Sequence, residues 1–133
     1  MLQAYQKRGL EVAIWLSEQA MRRPQGVMVR LVKGAYWDSE IKIAQQKGLD
    51  DYPVFTNKTH TDLSYEAGAA TLFSCPHIYC QFATHNALTI AQILQITSDS
   101  DQRFELQKLH GMGDLLYAIV SERYPQVTVR TYA

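Results

Sequence analysis

Arg30 is the residue whose placement asks most of its surroundings. It sits inside Val27-Met28-Val29-Arg30-Leu31-Val32, a nearly continuous apolar run. A guanidinium buried there needs an anionic or acceptor partner. Two partners are open: a carboxylate elsewhere in the fold, or a bound ligand to which Arg30 is a fixed donor. Lys33-Gly34 follows at once. A glycine there lets a ligand approach the backbone, and Lys33 could meet a phosphate; an ordinary turn explains the pair equally well. Thr84-His85-Asn86 stands where another apolar run, Ile78 to Ala83, gives way to helical spacing. Asn86 can cap that helix and His85 can be a surface histidine, or the free N–H groups of the helix start can bind phosphate. His110-Gly111 leaves the same choice. The pair Tyr36-Trp37 either packs on its neighbours or walls a flat ring.

Other chemistries are disfavoured. The four histidines show no H-x-x-x-H spacing, and His60 and His77 read as surface or loop residues, so no metal site is expected. Neither a G-x-S-x-G elbow nor a P-loop occurs. Cys75 and Cys80 lack the CxxC spacing and read as small buried apolar residues, with a reducing cytoplasm as the default compartment. Thirteen basic side chains balance thirteen acidic ones, which argues against a nucleic-acid-binding segment. Apolar residues make up 47%, enough for a core, yet no run is long enough for a transmembrane segment. The first residues lack the pattern of a signal peptide.

The elements that must position these residues alternate between two hydrophobic periods. Residues 5–22 take helical spacing, with Leu10, Ala13, Ile14, Ser17, Ala20 and Met21 on one face. The run at 27–32 reads as a strand buried on both faces. Helices are expected over 38–47 and over 61–73, the latter through Leu63, Ala67, Ala70 and Phe73. A strand over 78–83 precedes a helix through Ala87, Ile90, Ala91 and Leu94. A strand over 104–109, a helix through Met112, Leu115, Leu116, Ile119 and Val120, and a strand over 127–132 complete the order. Strands alternating with helices imply βαβ units and a parallel sheet. With no G-x-G-x-x-G after any strand, the α/β class expected is a partial (β/α)8 TIM barrel of about five parallel strands with intervening helices. A whole barrel needs ~250 residues, so residues 1–133 read as one fragment without a domain boundary. Barrel enzymes place chemistry at the C-terminal tips of their strands. Here those tips are Gln3, Arg30 to Gly34, Thr84 to Asn86, His110-Gly111 and Tyr132.

Several longer motifs run through those tips. Arg30-Leu31-Val32-Lys33-Gly34-Ala35-Tyr36-Trp37-Asp38-Ser39-Glu40-Ile41-Lys42 resembles the core motif of the proline dehydrogenase family, in the form found in bacterial bifunctional proline utilisation proteins. The resemblance continues through Thr56-Asn57-Lys58, Gln81-Phe82-Ala83-Thr84-His85-Asn86, Leu109-His110-Gly111-Met112-Gly113 and Arg130-Thr131-Tyr132-Ala133. It implies a barrel that binds FAD, oxidises L-proline to Δ1-pyrroline-5-carboxylate on the way to glutamate, and passes electrons to a membrane quinone. That acceptor would make the parent protein peripheral to the inner membrane.

The same resemblance implies roles residue by residue. Arg30 is the donor beside the flavin N5, and Gln3 contacts the ring edge. Val32, Lys33, Gly34 and Trp37 hold the cofactor at the strand end and helix start. Thr56 and Lys58 lie toward its adenosine side, and Thr84, His85 and Asn86 form another cofactor-binding tip. Tyr36, Leu109 and Tyr132 wall the proline pocket, so Arg30 and Tyr132 are the catalytic candidates. Three residues depart from the common pattern: Asn57 in place of Arg, Cys80 in place of Pro, and Thr131 in place of Ile. The family's substrate-carboxylate Arg pair and its earlier strands are not among these residues, so the fragment alone is expected to be inactive. From pattern alone, a non-catalytic barrel fragment or another barrel enzyme with a phosphate-bearing ligand remains the alternative.

Overall fold

The computed structural model describes residues 1–133, in which every two successive strands are separated by one helix, or by two between the second and third strands. The order is β1 (Leu2–Gln3), α1 (Gly9–Met21), β2 (Val27–Val32), α2 (Trp37–Gln46), α3 (Lys58–Phe73), β3 (Ile78–Ala83), α4 (Ala87–Thr97), β4 (Phe104–Leu109), α5 (Asp114–Arg123) and β5 (Thr128–Tyr132). The five strands lie side by side in chain order, every neighbouring pair parallel. Sequential parallel order with a helical crossover at each step is the winding of a (β/α) barrel, here an open arc.

The register divides the sheet into two faces. Val29 and Leu31 of β2, Ile78, Cys80 and Phe82 of β3, and Leu106 of β4 are buried on the convex face, under the helices. They meet Tyr65, Leu72 and Phe73 of α3, Ile90 and Ile93 of α4, and Tyr117 and Val120 of α5 in one cluster. Each fully buried Leu, Ile or Phe there contributes ~1.5–3 kcal/mol. The concave face carries Gln3, Arg30, Gln81, Glu105, Gln107, Arg130 and Tyr132 on successive strands.

Strand positions match expectation within a residue or two, and two-sided burial of β2 does not hold. Met28, on the concave face, is 70% exposed because the arc leaves that side open. Helix phases also differ. In α1 the buried residues are Gly9, Ala13 and Ala20, while Leu10, Ile14 and Met21 face outward. Small side chains let α1 sit close to its neighbours, and residues 5–8 form the turn that leads into it. The buried stripe of α3 is Tyr65, Gly68, Ala69, Leu72 and Phe73, with Leu63 outside. This helix begins at Lys58 because the Asn57 side chain accepts a hydrogen bond from Thr59 N at 2.9 Å, a cap hidden in the sequence reading. In α4 the inward residues are Thr89, Ile90, Ile93 and Thr97, with Ala91 exposed. In α5 they are Tyr117 and Val120, with Leu115 78% exposed and Ile119 outward. Asn86 caps α4 as expected, accepting from Thr89 N at 3.0 Å.

Candidate active site

The C-terminal tips of the strands open into a cleft of about 650 Å³ over the concave face. That volume lies within the range of small-ligand sites. Gln3, Arg30 and Val32 form its floor beside the tip of β2. Lys33, Gly34 and Tyr36 follow along one wall, and Lys58 reaches in from the start of α3. Thr84, His85 and Asn86 enter from the end of β3, and Leu109 and Tyr132 from β4 and β5. Trp37 and Thr56 lie in an adjoining depression of about 340 Å³ between the starts of α2 and α3. Lys33, Gly34 and Lys58 border both spaces, so the two form one elongated site. All fourteen cofactor- and substrate-contact candidates therefore line one or other part of it, whereas His110 and Gly111, at the end of β4, line neither.

The turn after β2 is shaped by Gly34. Its φ is +129°, and a Cβ there would lie 2.4 Å from the Tyr5 ring. The backbone thus packs flat on Tyr5 before Tyr36 emerges at the cleft and Trp37 starts α2. Trp37 Nε1 donates to Phe55 O at 2.8 Å, pinning the α2 start to the segment that carries Thr56.

Arg30 answers the question its sequence position raised. It forms no ion pair with a carboxylate. Its Cζ stacks 4.7 Å from the Tyr132 ring centroid, and its buried Nε has no hydrogen-bond partner. An unpaired buried donor is costly, so this atom fits an acceptor on a bound ligand. Lys33 is different: its ammonium pairs with Asp62 at 2.6 Å. Lys58 has no carboxylate partner and supplies the free cation of this end.

At the β3 tip, Thr84 Oγ1 accepts from Asn86 N at 3.1 Å, so side chains already satisfy part of the α4 start. His85 Nε2 accepts from Leu109 N at 3.0 Å, which places the proton of the neutral ring on Nδ1. Tyr117 Oη lies 2.5 Å from Thr84 O and 3.2 Å from Gln107 O, tying the β3 and β4 tips together. Burial pushes the Tyr117 phenol up to about 12, so it remains a donor.

The centre of the concave face holds residues the sequence reading missed. Glu105 is fully buried and Gln107 nearly so. Burial pushes the Glu105 carboxyl up, but hydrogen bonds from Gln107, Arg130 and Tyr79 more than offset that and hold it below its ordinary value. The period-two alternation of Phe104-Glu105-Leu106-Gln107 was the available signal: it sets both polar residues opposite Leu106.

Comparison with known proteins follows the same outline. The family model described as proline dehydrogenase matches residues 1–133. The bifunctional protein PutA of Klebsiella aerogenes is 53% identical over 119 residues, which cover 87% of this chain and 9% of that protein. PutA of Escherichia coli K12 is 52% identical over 123 residues, 90% of this chain and 9% of the relative. Among solved structures, a mutant of proline utilization A from Bradyrhizobium japonicum superposes with a TM-score of 0.93 at 51% identity, covering 99% of this chain and 14% of that one. Proline utilization A from Bdellovibrio bacteriovorus, inactivated by N-propargylglycine, superposes with a TM-score of 0.92 at 34% identity, covering 99% of this chain and 14% of that one. The chain spans about a tenth of the length of the curated relatives it matches.

Proposed function

Because the chain belongs to the proline dehydrogenase family, we propose that it forms the C-terminal part of a barrel domain that oxidises L-proline to Δ1-pyrroline-5-carboxylate with FAD. The observation that carries this reading is the buried, unpartnered Arg30 Nε at the floor of the cleft. FAD, when bound, would supply the two-electron acceptor for proline, with a membrane quinone as the eventual electron acceptor of the whole protein.

The chain's own residues bind and orient. Arg30 offers its Nε–H to the electron-rich edge of the flavin ring, where a preorganised donor favours the reduced state. Its stacking on Tyr132 fixes the guanidinium plane, so little order is lost on binding. Gln3 contacts the ring edge from β1, and Val32, Gly34 and Trp37 set the backbone against the cofactor. Lys33, held by Asp62, shapes this wall. Lys58 and Thr56 take the adenosine side, with Lys58 as the cation available to a phosphate. Thr84, His85 and Asn86 form the tip that leads into α4, whose Ala87 and Leu88 N–H groups the caps leave free. Tyr36, Leu109 and Tyr132 enclose the proline ring and hold its reacting carbon in place.

Substitution of Arg30 by Met in the full-length, FAD-loaded protein tests the reading. Turnover of proline falls by the ~2–4 kcal/mol of a preorganised donor, and the flavin potential shifts downward. Unchanged kinetics and an unchanged potential would make Arg30 a structural residue and overturn the assignment.

A further inference from the structure

The concave sheet carries a buried carboxylate that the proposed chemistry leaves unused. Four side-chain donors converge on Glu105. Gln107 Nε2 at 2.6 Å and Gln81 Nε2 at 3.1 Å reach Oε1, and Arg130 Nε at 3.0 Å and Tyr79 Oη at 3.2 Å reach Oε2. An ionised carboxylate can only accept, so each of these groups is held as the donor. The amide of Gln107 cannot turn its oxygen toward Glu105 without setting a carbonyl against a carboxylate.

The same Gln107 Nε2 lies 3.2 Å from Tyr132 Oη. Its second N–H donates there, so the phenol oxygen accepts. The Tyr132 proton must then point elsewhere, and no acceptor among residues 1–133 takes it, while the residue itself lines the cleft beside Arg30. We propose that Glu105 is a positioning residue: its carboxylate locks the Gln107 amide as donor to Tyr132, which turns the Tyr132 hydroxyl proton toward an acceptor atom of the ligand. The inference rests on the reading of this cleft as the proline and flavin site.

Glu105→Gln keeps the shape and removes the obligation. An amide at 105 can present either end, Gln107 can reverse, and the Tyr132 proton can return to the Gln107 carbonyl. In the full-length protein, Glu105→Gln and Tyr132→Phe each lower kcat/KM for proline by about tenfold, the worth of one net hydrogen bond. Because both break one relay, the double variant is no worse than Tyr132→Phe alone. Gln107→Met interrupts the same relay while leaving Glu105 three donors, and gives the same saturating result if Glu105→Gln folds poorly. Full additivity, about a hundredfold loss in the double variant, overturns the proposal, as does an unchanged kcat/KM in either relay variant.

A second readout works without turnover. An isotopic label at the tyrosine Cζ reports hydrogen bonding at the phenol oxygen, and the Tyr132 resonance moves in Glu105→Gln. If the unaltered protein fails to reduce flavin with proline, the functional reading falls. The Tyr132 resonance then decides the positioning role, which an unmoved signal overturns.

Discussion

Taken by itself, the 133-residue chain is expected to associate with itself. Its accessible surface is 8522 Å². A globular monomer of 15.2 kDa exposes about 7,100 Å², so this chain shows an excess of about 1,400 Å². Folded surfaces are ~55–60% apolar, which makes ~800 Å² of that excess apolar. At ~25 cal/mol per Å², the forgone burial is worth ~20 kcal/mol, larger than the ~5–15 kcal/mol net stability of an ordinary domain. Met28 on the concave face and Leu115 on α5 are among the side chains responsible. β1 and β5 each have one edge without a neighbour, a template for further pairing. The assay is sedimentation of the purified chain over a concentration series, with binding of a dye that reports exposed apolar surface. Concentration-dependent association and strong dye binding are expected. A monodisperse monomer with a sharp cooperative melt and little dye binding would refute the reasoning.

Three further outcomes follow from the same geometry. Gly34→Ala forces a Cβ against the Tyr5 ring at φ +129°, costing ~2–6 kcal/mol from backbone strain and overpacking together; Tyr5→Leu relieves only the overpacking part, and denaturant unfolding that shows no loss for Gly34→Ala would contradict this. Glu105 has a depressed folded pKa, so its stabilisation is full above the unfolded value near ~4.3 and is lost as pH falls through the folded value. Unfolding measured from pH ~5 downward is therefore less pH-dependent in Glu105→Gln, and equal slopes in both proteins would show that Glu105 gives no such stabilisation. The 133-residue chain saturated with FAD does not reduce an artificial dye with proline, because the concave side stays open to water and orientation is lost; turnover within tenfold of a full-length relative would show otherwise.

Strand positions were legible because short, mostly apolar runs such as Val27–Val32 and Ile78–Ala83 are bounded by turn residues. The faces of the helices were less so. Barrel helices pack closely through small residues, so Ala13, Gly68 and Ala69 are inside while Leu10, Leu63 and Leu115 are outside. Ranking positions by hydrophobicity shifts the stripe in part: Ala13, Ala20, Phe73, Ile90 and Val120 lie inside as expected, and the larger Leu10, Leu63 and Leu115 do not. The site was legible at the strand tips, where fold class alone says chemistry belongs. What the sequence left open at Arg30, a carboxylate or a ligand, depended on neighbours from other strands. The pairing of Lys33 with Asp62 joins residues 29 positions apart, and no spacing rule links them. The Glu105 hub draws donors from β3, β4 and β5, so only the register reveals it.

The flavin assignment is tested most directly at the buried, unpartnered Arg30 Nε–H itself. In full-length protein with nitrogen-labelled arginine, the Arg30 Nε–H resonance can be followed while FAD is added. A large downfield shift and slowed hydrogen exchange of that one signal are expected on FAD binding, and the signal, assigned by its absence from Arg30→Met, is the only arginine resonance to move that far. FAD binding that leaves the Arg30 Nε–H resonance and its exchange unchanged would contradict it.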